Sequence, residues 1–100
     1  MKYKVRYSDD AILDFNDISH LIANEFGMPK TAFNYLKGLK EKIKRLEYYP
    51  EICAVSDNKS IIENYGFNVR RLNYKKVSVI YTIIEKDVWI IRALWSYSIQ

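Results

Sequence analysis

The sequence predicts a single α+β domain in which two helices precede a small antiparallel β-sheet. Three observations predict this order: a strand-like alternation at residues 2–7, two helical apolar patterns before residue 50, and β-rich runs in the last third. A chain of 100 residues fits one domain, spanning 1–100. Its nine tyrosines, four phenylalanines and two tryptophans supply enough apolar area for a core, which argues against a disordered chain.

The first strand and the first helix are predicted from residues 2–26. Lysine and arginine alternate with tyrosine and valine through residues 2–7, which indicates a half-buried strand. Ser8 suits an N-cap, because its hydroxyl can accept a free backbone N–H, and the carboxylates of Asp9 and Asp10 suit the positive end of a helix. The helix then presents one apolar stripe, formed by Ala11, Phe15, Ile18, Ile22 and Phe26.

A second helix follows after a very short link. Gly27 fits the position just past a helix end, and Pro29 fits a first turn, so the two helices should pack as an antiparallel hairpin that Pro50 closes. The second apolar stripe is Ala32, Leu36, Leu39, Ile43 and Leu46. Residues 51–65 show no clear period and are predicted to form a loop, with a short strand or turn near 61–62 as its only regular structure.

The last third predicts a β-meander. Its β-rich runs, Phe67–Leu72, Val77–Ile84 and Val88–Trp95, are separated by short polar breaks that favour antiparallel hairpins. Alternation along the middle run defines the face expected under the helices, which is Val77, Val79, Tyr81 and Ile83.

Arg92 stands out because it lies inside the otherwise apolar run VWIIRALW, where a charge is costly to bury unless it is paired or faces an open groove. Two interpretations stay open: an ion pair with Glu63, Glu85 or another acid, and an anion contact on the exposed sheet face. Strict alternation places Val88, Ile90, Leu94 and Ser96 on the side of Arg92.

The face of the sheet to which Arg70 points is predicted from the same alternation. If Phe67 and Val69 point into the core, Arg70 points to the open face, where Arg70, Arg92 and Ser78 would lie near one another. Arg71 would then fall on the opposite face or at its rim. A β-bulge between Arg70 and Arg92 would reverse this assignment.

The net charge of +4 is unevenly distributed. The first helix is acidic and the second is basic, and the first hairpin of the meander adds Arg70, Arg71, Lys75 and Lys76. A one-sided basic surface predicts a polyanion or an acidic partner segment as ligand, and the alternative is an ordinary solvated face.

Several classes of protein are excluded or disfavoured. Cys53 is the only cysteine, so neither an internal disulfide nor a zinc cluster is expected, and the only histidine, His20, lies far from it. No metal or cofactor is predicted. The first residues lack an apolar leader, and no run approaches the roughly 20 apolar residues that span a bilayer, so we expect a cytoplasmic protein.

The residues of the meander carry a family resemblance. The run 70–81 resembles that of RelE/ParE superfamily toxins, in which an arginine, a tight polar turn and an apolar strand ending in tyrosine follow one another. Residues 88–94 are similar to the final strand of that family. The helix pattern Leu39, Ile43, Leu46 and the exit Tyr49-Pro50 resemble its second helix.

This resemblance implies a β-α-α-β-β-β fold, with an antiparallel sheet covered on one face by a helical hairpin, and a toxin of a bacterial type II toxin–antitoxin system. A cognate antitoxin would inactivate it by laying a partly disordered segment across its surface. Members of the RelE-like branch cleave mRNA on the ribosome, whereas members of the ParE-like branch inhibit DNA gyrase by binding. A plain nucleic-acid-binding module without toxicity is a further alternative.

Two departures favour the ParE-like branch. RNA-cleaving members carry an arginine in the third strand where this chain has Ser78, and a histidine or tyrosine near the C-terminus, where Trp95, Ser96 and Tyr97 stand here. Cleavage beside a 2′-hydroxyl requires a base, a cation and an acid. Arg70 and Arg92 are the candidate cations, Tyr97 is the candidate acid or base, and Glu63 is a remote candidate base. The target-binding or anion-binding candidates are Arg70, Arg71, Lys75, Lys76 and Arg92.

Overall fold

A computed structural model describes residues 2–99 of the protein. One strand precedes two long helices, and a third, short helix leads into a three-stranded meander. The elements are β1 (Lys4–Tyr7), α1 (Asp9–His20), α2 (Pro29–Lys44), α3 (Lys59–Tyr65), β2 (Val69–Tyr74), β3 (Val77–Ile84) and β4 (Asp87–Trp95). Within this part of the chain, no helix has the length and apolar character needed to cross a membrane.

The four strands form one sheet in the order β1-β4-β3-β2. The meander pairs antiparallel, whereas β1 lies parallel to β4, with Lys4 opposite Asp87 and Tyr7 opposite Ile90. The predicted fold class, an antiparallel sheet packed on one face by a helical hairpin, is confirmed, and the sheet is antiparallel in all its pairings but one. The parallel pairing of β1 is an addition to the prediction.

The helix boundaries follow the predicted signals. The Ser8 hydroxyl accepts a hydrogen bond from the backbone N–H of Ala11 at 3.0 Å, and Pro29 occupies the first turn of α2. Gly27 adopts a left-handed φ of 65°, which favours glycine in the link between the helices. Phe26 is a correction, because it is 60% exposed instead of extending the apolar stripe. The π-helical segment Leu21–Glu25 precedes it, and the wider turn rotates the following residue away from the core.

The main core lies between the helical hairpin and the sheet. The predicted inner set of the middle strand is confirmed, since Val77, Val79 and Tyr81 are fully buried there and Ile83 packs at the margin. We call this side of the sheet the hairpin face. The helices contribute Ala11, Phe15, Ile18, Ile22, Ala32, Leu39, Ile43 and Leu46.

A second, smaller core covers the opposite side of the sheet, which we call the α3 face. Ile61 of α3 packs there against Val69 and Ile80. The prediction of a loop through residues 51–65 is therefore wrong for its second half. The signal was present in Asn58, whose side chain accepts a hydrogen bond from the backbone N–H of Ile61 at 3.0 Å as an N-cap.

A β-bulge interrupts β4. Ile80 lies opposite Arg92, but the next residue, Tyr81, lies opposite Ile90, so Ile91 has no partner on β3. The extra residue reverses the alternation of the strand. Val88 and Ile90 therefore share the hairpin face with Ala93 and not with Arg92, and the alternation predicted through Arg92 is wrong beyond the bulge.

Candidate functional site

Arg70 has a structural role, since its side chain binds the backbone of the 50–53 segment. Because Val69 packs into the second core, Arg70 turns to the hairpin face opposite Tyr81, away from Ser78, so its predicted place on an open face is wrong. Its Nη1 donates a hydrogen bond to the carbonyl of Cys53. The phenol of Tyr81 donates to the carbonyl of Pro50 at 2.7 Å, and these two bonds hold the 50–53 segment against the sheet.

Arg92 is neutralised by an acid on α1. Its Nε and Nη2 donate to the two carboxylate oxygens of Asp14, at 2.6 and 2.9 Å. The same carboxylate accepts the backbone N–H of Ala93 at 2.9 Å, so it also caps the edge of β4 beyond the end of β1. The hydrogen bonds with Asp14 raise the pKa of Arg92 further above its usual value, which keeps the guanidinium charged.

The ion-pair interpretation of Arg92 is therefore correct, although the acid is Asp14 and neither Glu63 nor Glu85. A sequence signal for this partner existed. Asp14 lies between Ala11 and Ile18 on the apolar stripe of α1, where it is only 8% exposed. A carboxylate on a buried stripe requires a cation or several hydrogen bonds, so it predicts a partner on the facing sheet.

Arg71 belongs to a polar cluster on the α3 face. Its Nε donates to the hydroxyl of Ser78 at 2.9 Å and to the side-chain oxygen of Asn73 at 3.1 Å. Ser78 is fully buried, and its hydroxyl donates its one proton to the side-chain oxygen of Asn73 at 2.7 Å. The hydroxyl of Ser96 lies 2.7 Å from that of Ser78 and must therefore be the donor in this pair. These four residues, Arg71, Asn73, Ser78 and Ser96, are the Arg71 cluster.

The terminal nitrogens of Arg71 remain available. Within residues 2–99, Nη1 and Nη2 make no hydrogen bond, and no carboxylate lies within ion-pairing distance of the guanidinium. The two acceptors on Nε are neutral, so the side chain is positioned while its charge is retained. This geometry leaves a planar fork of donors that suits a phosphate or a carboxylate.

The remaining candidates do not form one patch with Arg71. Lys75 leans over the hairpin face, where its ammonium lies 5.4 and 5.5 Å from the ring centroids of Tyr35 and Tyr74. Lys76 is exposed in the same turn. Tyr97 is 81% exposed and stacks on Trp95 with ring centroids 6.5 Å apart, and within residues 2–99 no hydrogen bond joins it to an arginine.

A groove that the sequence did not predict runs between α1 and α2. It encloses about 610 Å³ between apolar walls, with Phe33, which is 69% exposed, at its mouth, and we call it the hairpin groove. Its walls and rim include Phe15, Ala32, Phe33, Leu36, Lys37, Lys40 and Lys44. A second recess of about 300 Å³ shares Phe15, Asn16 and Lys40 with it and extends it to Tyr7 and Ile12.

Comparison with known proteins confirms the RelE/ParE superfamily that the sequence predicted. The sequence model of the ParE toxin of type II toxin–antitoxin systems, parDE, matches residues 5–98. Since this match covers nearly the whole chain, the protein belongs to the ParE toxin family. No curated protein sequence matches it at a significant level.

Two solved structures share its fold. The chromosomal ParDE toxin–antitoxin system from P. aeruginosa superposes with a TM-score of 0.75 at 18% identity, covering 94% of this chain and 96% of that chain. The RelBE2 toxin–antitoxin complex from Mycobacterium tuberculosis gives a TM-score of 0.62 at 13% identity, with coverage of 95% and 99%. At these identities the likeness is one of fold.

Proposed function

We propose that the protein inhibits bacterial growth by binding DNA gyrase, and that it is not an mRNA nuclease. The observation that carries this proposal is the state of the three arginines in β2 and β4. Arg92 is ion-paired with Asp14, and Arg70 holds the Cys53 carbonyl through Nη1. Arg71 is fixed through Nε alone, and within residues 2–99 both of its terminal nitrogens make no hydrogen bond. A single positioned cation is sufficient for binding an anionic surface, whereas RNA cleavage requires a cation, a base and an acid together.

The surroundings of Arg71 support the binding mode. Its hydrogen-bonding neighbours are the amide of Asn73 and the hydroxyl of Ser78, neither of which is a practical acid or base at neutral pH. Tyr97 stacks on Trp95 instead. Among the predicted anion-binding residues we assign the target contact to Arg71, and a supporting structural role to Arg70 and Arg92. Lys75 and Lys76 lie in the adjacent turn and are not assigned to this contact.

The test is a supercoiling assay with purified toxin and DNA gyrase, which also fits the expected cytoplasmic site of action. Inhibition at micromolar toxin is expected, with loss on Arg71→Gln and no loss on the matched control Arg45→Gln, because Arg45 is exposed at the end of α2. Unimpaired supercoiling combined with cleavage of mRNA on translating ribosomes would replace this proposal with the RelE-like alternative.

We further propose that a cognate antitoxin occupies the hairpin groove with an amphipathic, acidic helix. An apolar groove between two helices fits the apolar face of such a helix. Lys37, Lys40 and Lys44 on its rim outnumber the one acid there, Glu41, and therefore favour a negatively charged ligand.

This partner is tested by co-expression with the product of the neighbouring reading frame. Phe33→Asp should abolish co-purification, because it places a carboxylate at the apolar mouth of the groove. Phe67→Asp is the matched control, since Phe67 is 79% exposed outside the groove. Equal retention of the partner by both variants would place the antitoxin elsewhere.

A further inference from the structure

The guanidinium of Arg71 is open to a ligand only at its end. Its Nε is occupied by Ser78 and Asn73, so Nη1 and Nη2 are the donors that remain within residues 2–99. This end-on pair of donors matches two oxygens of a carboxylate or of a phosphate. A gyrase complex holds both kinds of anion, as acidic side chains of the enzyme and as the backbone of its DNA.

The α3 face presents little free charge besides Arg71. Arg92 lies in the same cross-strand row, with Ile80 between the two arginines, but Asp14 neutralises it. The helix α3, which packs on this face, carries one lysine and one glutamate and therefore adds no net charge. A ligand of Arg71 on this face thus meets one uncompensated guanidinium.

The cations of the β2–β3 hairpin do not extend this charge into a path. Arg70 points to the hairpin face, and Lys75 leans over the tyrosine rings on the same side. Lys76 is exposed in the turn beyond β2. A DNA strand carries a phosphate at every nucleotide, and proteins that bind it neutralise several of them along a continuous basic groove. One positioned arginine and one exposed turn lysine do not form such a groove.

Apolar side chains border the Arg71 cluster. Leu94 lies directly opposite Ser78 in the pairing of β3 with β4. Leu94, Ile91 and Ile99 pack against the second core, and each stays partly exposed. Apolar neighbours keep water from an ion pair and strengthen it. A protein surface brings apolar side chains next to its carboxylates, whereas a DNA backbone has none to place there.

We infer that Arg71 binds a side-chain carboxylate of the gyrase polypeptide and that DNA takes no part in this contact. This inference rests on the proposed inhibition of gyrase and adds the chemical class of the group that Arg71 recognises. The carboxylate oxygens accept from Nη1 and Nη2, while Ser78 and Asn73 hold the guanidinium in place through Nε.

Direct binding of purified toxin to gyrase, with and without DNA, tests the inference. The affinity should be the same for both forms of gyrase, and it should fall less than about 10-fold between 50 and 200 mM salt, because one ion pair is screened. A contact with DNA phosphates requires DNA and loses about 1,000-fold or more over this range. That second result would overturn the carboxylate and leave the gyrase proposal standing. Toxin that neither binds gyrase nor inhibits supercoiling would overturn both.

An exchange of charges identifies the carboxylate. Gyrase variants that resist the toxin are selected in cells that produce it, and replacements of one glutamate by lysine are expected among them. Toxin carrying Arg71→Glu should inhibit such a variant at least about 10-fold better than wild-type toxin does, because opposite charges again face each other. Thermal unfolding checks that the Arg71→Glu toxin is folded. Resistance that maps only to non-acidic residues of gyrase, or a folded Arg71→Glu toxin that recovers no inhibition of the lysine variant, would overturn the inference.

Discussion

Arg71 and Arg92 occupy comparable positions in strands of the same sheet and meet opposite environments. Arg92 faces a carboxylate that α1 supplies at 2.6 Å, so its charge is neutralised within the fold. Arg71 faces a serine and an asparagine, which fix its Nε without neutralising it. The difference lies in the partner and not in the arginine, and it teaches that a mid-strand arginine indicates a binding site only when its acceptors are neutral.

The largest expected effect is the loss of stability on breaking the ion pair between Arg92 and Asp14. Asp14→Asn preserves an acceptor for the Ala93 N–H but removes the charge that offsets Arg92. The free energy of unfolding, measured by urea denaturation, should fall by about 3 kcal/mol, the lower end of the cost of breaking a buried pair. The lower end applies because the Arg92 side chain retains 32% exposure.

The matched control is Asp17→Asn, a substitution of an exposed acid on the same helix. It should change the free energy of unfolding by no more than about 0.5 kcal/mol. Equal losses in the two variants would mean that Asp14 acts only through the general charge of α1, and the contrast between the two arginines would lose its structural basis.

The next effect separates activity from stability. Arg71→Gln should weaken gyrase inhibition by about 10-fold to 100-fold, the usual range for a lost charged hydrogen bond, and leave the unfolding midpoint nearly unchanged. Arg92→Gln should lower the unfolding midpoint and leave gyrase inhibition nearly unchanged, because the loss of the guanidinium leaves Asp14 buried without a counter-charge. Inhibition is measured per folded molecule, and parallel losses in both assays for both variants would contradict the division of roles.

The sequence predicts the fold well where local chemistry decides it. Ser8 as N-cap, the glycine and proline of the helix link, and the strand alternation of β3 all act within a few residues, and each is confirmed. The third helix was missed because a single N-cap and one turn of apolar spacing, Ile61 and Tyr65, are too short to stand out from a loop.

The site was less predictable because faces of a strand are assigned by counting. One unpaired residue, Ile91, reverses every assignment beyond it, and the sequence alone does not mark the position of such a bulge. The apolar residues Val77, Val79, Ile80 and Tyr81 point to both faces of β3, which is a sequence signal of a sheet covered on both sides, and all four are buried. This signal argues against one wholly open face.

A smaller effect is expected at Ser78, whose hydroxyl helps to position Arg71. Ser78→Ala removes the acceptor of the arginine Nε and of the Ser96 hydroxyl, so the free energy of unfolding should fall by about 1 to 2 kcal/mol. Gyrase inhibition should weaken, although less than in Arg71→Gln, because the charge remains while its position is lost. Ser98→Ala is the control, since its bond to the Trp95 carbonyl is exposed and water can replace it. A stable, fully inhibitory Ser78→Ala protein would show that Asn73 alone positions Arg71.

The smallest expected effect concerns the 50–53 segment, which Tyr81 and Arg70 both hold against the sheet. Tyr81→Phe removes the buried hydrogen bond to the Pro50 carbonyl and should cost about 1 kcal/mol at neutral pH. Burial, reinforced by Cys53, raises the pKa of the Tyr81 phenol above its usual value of 10.0. A raised pKa in the folded state means that the stabilisation is fully present below pH 10 and is lost as the pH rises toward the folded pKa.

Unfolding measured from pH 8 to pH 11.5 checks this sign. Above pH 10 the unfolded wild-type chain gains stability by ionising Tyr81, at about 1.4 kcal/mol per pH unit, whereas the phenylalanine variant has no such group. The wild type should therefore lose its advantage by about pH 11. Burial also raises the pKa of Tyr7 and Tyr35, but both tyrosines remain in the variant and cancel in the difference. A constant difference across this range would mean that the Tyr81 phenol is accessible to water and that the 50–53 segment is not held against the sheet.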